Sequence, residues 1–131
     1  MKIHELLENK FTFTLAQVRQ LWRELNATSF NGDLTEPLIL IEQDLDHMVP
    51  PGYADKFGGG DVLGFCDEDP ESKELVLLLS MKINDAVELM EVVAHEMVHQ
   101  ALAEEHGYQQ MLRIGHGTAF MSYALAIKKI P

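Results

Sequence analysis

In "VAHEMVHQAL", Val93 to Leu102, two histidines stand four residues apart with a glutamate directly after the first. Imidazole nitrogens are natural ligands for zinc, and a carboxylate beside them can take a proton from water. On a helix, His95 and His99 project from one face a turn apart, and Glu96 lies about 100° round the axis, placed as a general base rather than as a ligand. A catalytic zinc takes three protein ligands and keeps one position open. The chemistry therefore turns on the third ligand.

A downstream acidic ligand is excluded, because no Asp or Glu follows Glu105, and Glu104 and Glu105 share the helix with the histidines. The pattern in which a glycine three residues past the second histidine precedes a third one also fails, since Leu102 and Glu105 occupy those two positions. His106 returns to nearly the same face but lies roughly 10 Å along the axis from His99. It is better suited to the negative end of the helix dipole. His116, in "RIGHGTAF", remains. Gly115 and Gly117 let the chain bend around it so that its ring can face the other two, the competing role being a cap for the last helix.

These side chains need a scaffold. "TLAQ", Thr14 to Gln17, has the spacing of a capping box, and Leu15, Val18, Leu21, Trp22 and Leu25 follow at helical spacing until "NGD" ends the element. "LILIEQ" after Pro37, "DVLGFCD" from Asp61 and "ELVLLLS" from Glu74 are short apolar runs that predict a small sheet. The last of them is expected to pass the metal and pair with an extended substrate. Between the first two lies "MVPPGYADKFGGGD", a loop with the length of a flap or of a plain surface connection. Its Gly58–Gly60 run lacks the Lys-Ser/Thr of a phosphate loop, and "DEDPESKE" lacks the spaced ligands of a calcium hand.

"NDAVELMEVVAHEMVHQALAEEH" is the central helix, capped by Asn84 or Asp85 and ended by Gly107. Val87, Met90, Ala94, Met97, Val98 and Ala101 form its apolar arc. After a linker through Gln109 and Leu112, a last helix from about Thr118 to Ile127 carries Phe120, Met121, Ala124 and Leu125. Trp22, Phe30 and Phe120 are expected in the core, His4 and His47 on the surface.

At 131 residues, the whole of 1–131 fits one domain. A single cysteine, Cys66, excludes an internal disulfide and a cysteine-based zinc ribbon. No apolar run is long enough for a membrane span and no secretory signal is evident, so no membrane partner and a cytoplasmic location are expected. A monomer is expected as well. The net charge of −11 argues against unaided nucleic-acid binding, although beyond Glu105 the only formal charges are Arg113, Lys128 and Lys129. That basic tail leaves weak contact with DNA open.

"HEMVHQ" followed by "GHGTAF" resembles the SprT-like zinc metallopeptidases, which include the Spartan proteases, and "LWRELNATSFNGDL" resembles the helix and turn that open their domain. The resemblance covers roughly residues 14–126. It implies zinc on His95, His99 and His116, Glu96 as the catalytic glutamate, and a compact α+β zincin whose small mixed sheet lies over the active-site helix. Many members continue into a cysteine-rich ribbon or basic DNA-binding segments; neither occurs here up to Pro131. The implied substrates are protein, either free or associated with DNA.

The expected activity is that of a zinc-dependent metalloendopeptidase. Zinc lowers the pKa of water toward 7, and Glu96 takes its proton and passes it to the leaving amine. Tyr108, Tyr123 or Arg113 could assist at the carbonyl oxygen, and Glu88 or Glu91 could orient the ligand rings. The contrasting expectation is a catalytically silent, zinc-stabilised protein-binding module. Retention of Glu96 speaks against it, because a structural site usually closes with a fourth protein ligand.

Overall fold

Helix α1, Leu15–Ser29, begins where the capping box places it: the Thr14 hydroxyl accepts from the Gln17 N–H, and the Gln17 side chain accepts from the Thr14 N–H. Asn31 and Gly32, both at positive φ, turn the chain away after Phe30. The computed structural model describes residues 11–46, 48, 55–57 and 61–128. His4, His47, Gly58–Gly60 and most of the expected flap fall outside them.

The strands are β1 (Leu38–Glu42), β2 (Asp55–Phe57), β3 (Asp61–Glu68) and β4 (Leu75–Ser80). They form one mixed sheet in the order β1-β4-β3-β2, with β1 parallel to β4 and the other pairs antiparallel. Two expectations change here. β2 lies inside the stretch expected to be loop, because three residues are too few to display a strand's alternation. And β4 has both edges taken by β1 and β3, so it cannot also pair with a substrate.

The β2–β3 register slips: Asp55 faces Gly64 while Lys56 faces Val62, which leaves Leu63 as the extra residue of a bulge. Strict alternation would set residues three apart on opposite faces. Instead Val62 and Phe65 join Leu45, Val76 and Leu78 in a small outer cluster, while Leu63 and Cys66 join the main core with Ile39, Leu77 and Leu79. The loop after β1 is tied to this end of the sheet, since Lys82 Nζ lies 3.4, 3.5 and 3.7 Å from carboxylates of Asp44, Asp46 and Asp61. Asp46 also accepts from the Val62 N–H.

Helix α2, Ala86–His106, starts at the Asp85 cap and ends at Gly107, whose φ of 92° suits glycine. It packs on β3 and β4, while α1 packs on β1 and on α2. The expected apolar arc is displaced: Val87 and Met90 are exposed, and Leu89, Val92 and Val93 face the core in their place. From Glu96 to Ala103 every residue is buried, so the helix has no outward face over that stretch. The linker expected through Gln109 and Leu112 is a short helix, α3 (Tyr108–Ile114), anchored by buried Met111. In the last helix, α4 (Thr118–Lys128), Phe120 is buried but Met121 and Leu125 are exposed. Among the described residues no helix is long and apolar enough to cross a membrane.

One buried polar contact joins the two ends of this arrangement. Trp22 Nε1 donates to Gln100 Oε1 at 3.0 Å, and Gln100 Nε2 donates to the Thr35 carbonyl and to Glu104. Trp22→Phe keeps the ring's apolar bulk but leaves the Gln100 oxygen without its donor. A loss of about 1–3 kcal/mol is expected in urea denaturation; an unchanged midpoint would show that the bond contributes nothing.

Candidate metal centre

α2 presents His95 and His99 one turn apart toward the bend between α3 and α4. That bend carries His116. Gly115 there has φ 53° and ψ −125°, and its N–H closes α3 on the Met111 carbonyl. Gly117 is needed for a different reason: a Cβ at that position would lie 3.0 Å from the Ile114 carbonyl oxygen. The expectation that two glycines let His116 turn back is thus met, by positive φ at one and by close backbone approach at the other.

The three rings converge through their Nε2 atoms, with 3.1 Å between His95 and His116 and 3.3 Å between His99 and His116. One donor atom from each of the three residues lies within 4.8 Å of the others. Nitrogens about 2.0–2.1 Å from a tetrahedral ion are separated by about 3.3 Å, so the spacing suits a shared cation. Three imidazoles are the donor set of zinc, copper, iron or nickel, not of calcium or magnesium. His99 is buried, His95 half-buried and His116 exposed. His106, by contrast, ends α2 as an exposed residue 3.8 Å from Glu105 and does not join the cluster.

Glu96 is fully buried. Its side chain lies against β3 at Gly64, where a Cβ would sit 3.0 Å from its Cγ, 3.1 Å from Oε2 and only 2.7 Å from Val92 Cγ1. Gly64 stands beside the bulge, so the irregular stretch of the sheet is the part that admits the Glu96 carboxylate.

Three of the expected assisting residues, Tyr108, Tyr123 and Glu88, bond to other groups. Tyr108 donates to Asp67 at 2.9 Å, and burial together with that carboxylate raises its pKa far above an ordinary phenol. It lines a cleft of about 310 Å³ with Thr35, Glu68, Lys73 and Glu104 that includes none of the three histidines. Tyr123 donates to Glu105, again with its pKa raised by burial and the carboxylate. Arg113 is exposed. Glu88 caps the helix start, its N–H bonded to Asp85 and its carboxylate accepting from the Asn84 N–H, and Glu91 is exposed. Sequence reasoning missed Gly64 and the contact of Phe120 with all three imidazoles. A glycine inside an apolar strand run was the available signal for the first.

Compared with protein-family models, curated proteins and solved structures, the chain matches none.

Gly64→Ala should force β3 and α2 apart, costing about 1–3 kcal/mol as overpacking does. Thermal or urea unfolding measures this, and wild-type stability would show that Val92 and Glu96 yield without strain.

Proposed function

We propose that the chain is a zinc-dependent metalloendopeptidase of the SprT-like kind, built as a small zincin, with His95, His99 and His116 as zinc ligands and Glu96 as general base. The observation that carries this reading is the approach of three Nε2 atoms from two helical turns and a glycine bend to the spacing one ion requires. Zinc is favoured over its neighbours because peptide hydrolysis needs a Lewis acid, which acidifies water, and no change of oxidation state.

The chain's own residues divide the remaining work. By helix geometry Glu96 lies about 100° from His95 and about 60° from His99, beside the ligands without being one. Its carboxylate accepts the proton of the attacking water as the oxygen bonds to the carbonyl carbon, then delivers it to the amine as the C–N bond breaks. A carboxylate with this burial sits in a low-dielectric setting, where its interaction with a nearby cation is strengthened. Among the described residues β2, paired with β3 across from Gly64, is the edge strand nearest Glu96, and an extended polypeptide pairing there would lie beside the site. The substrate is protein. The acidic balance of the chain favours free polypeptide, with DNA-bound protein as the second class to try.

Purified protein should cleave casein or a DNA-bound protein, and a chelator should stop it. Glu96→Gln should abolish cleavage while zinc content stays at one ion per chain, a loss of about 100-fold or more for removal of a general base. Undiminished turnover by that variant would discard the mechanism, and zinc binding without cleavage in the wild type would favour the silent module. Separately, His116→Ala should lose zinc in metal analysis while His106→Ala keeps it; the reverse result would move the third ligand.

A further inference from the structure

Phe120 does more than fill core. The centroids of the three imidazoles are 5.1, 5.0 and 5.0 Å apart, and that of Phe120 lies 4.9, 4.6 and 4.7 Å from His95, His99 and His116 respectively. Four rings at such even separations form a near-regular tetrahedron, so the phenyl ring stands over the centre of the histidine triangle. It closes one face of that triangle. A cation held by all three Nε2 atoms would meet the phenyl ring on one side of the triangle and would keep its access on the other.

Phe120 is also fixed in place. It is 4% exposed, packed into the main core, and is the third residue of α4, directly after the bend that delivers His116. One packed ring therefore touches the ligand from the bend and both ligands from α2. We propose that Phe120 is a positioning residue of the metal centre: it holds the three imidazoles converged before an ion arrives and directs the open coordination position away from α4. The inference rests on the reading of the histidines as metal ligands. Its physical basis is pre-organisation. Without a rigid plane behind them, three rings carried by α2 and by the bend populate rotamers that point apart, and binding has to order them.

Zinc affinity of the full chain, by competition with a chromophoric chelator, and the visible spectrum of the cobalt(II) form test this without any cleavage assay. The variants are Phe120→Leu, Phe120→Tyr and Phe30→Leu, the last in the same core at the C-cap of α1. Phe120→Leu, which keeps apolar bulk and removes the plane, should weaken zinc binding by about 10- to 100-fold, the range seen when groups supporting metal ligands are removed, and should shift the cobalt bands. Phe120→Tyr should restore both, and Phe30→Leu should leave both as in the wild type. Wild-type affinity and spectrum in a folded Phe120→Leu overturn the proposal, as does an equal loss in Phe30→Leu, which would indicate general loosening of the core. If Phe120→Leu does not fold, Phe120→Met is read by the same two measurements. A wild-type chain that binds neither zinc nor cobalt removes the metal reading itself, and this is seen before any variant is compared.

Discussion

The arrangement depends on burying a helix that is not uniformly apolar. Glu96, His99 and Gln100 sit in the stretch of α2 with no outward face, and polar groups brought there must find partners or a function. Gln100 resolves this structurally, with Trp22 donating to its oxygen and its nitrogen donating to Thr35 and Glu104. Those bonds also fix the rotation of α2 about its own axis, because a turn of even one residue would carry Gln100 away from α1 and the strand entry. With Gln100 directed toward α1, Glu96 stands one turn earlier and only about 40° round the axis, where it meets Gly64 of β3, while the two histidines, about 100° and 140° round, face the α3–α4 bend. The same packing that stabilises the helix thereby aims its chemistry.

The third imidazole arrives by a different logic. α3 is too short to be stable alone and is held by Met111 in the core, between Gly107 and Gly115, both at positive φ. Docking of α3 sets where the bend begins, and the bend sets where His116 and then Phe120 lie. A side chain placed this way is sensitive to its neighbours, whereas His95 and His99 inherit the rigidity of a long buried helix. Phe120 couples the two, being in contact with rings from both.

How much of this could be read from the residues follows from the range of each interaction. The Thr14 capping box and Gly107 are local and appear where sequence places them, and of the two caps the sequence offers for α2, Asn84 and Asp85, the structure uses Asp85. The convergence of His95, His99 and His116 could be reached by eliminating other ligands, since the chain has few candidates. Val87 and Met90 were misplaced because α2 is apolar on nearly every side, so its pattern gives little direction. The Leu63 bulge depends on the register of a partner strand, and the Trp22–Gln100 bond spans 78 residues, so neither leaves a trace in spacing. Phe120 looked like core because it is core; its second role depends on which rings share that core.

The gradient of burial across the centre says how it opens. His116 is exposed, His95 half-buried, His99 buried and Glu96 fully enclosed against Gly64, so the site deepens from the bend toward the sheet. Under the peptidase reading, a polypeptide entering from the exposed side would meet the imidazole of His116 first and the carboxylate last. That order suits hydrolysis under the peptidase reading: the proton acceptor is kept from bulk water, while the bend stays accessible to a bulky chain. It also accounts for Gly64: any other residue would place a Cβ there, and the space that lets Glu96 lie against the sheet would be filled.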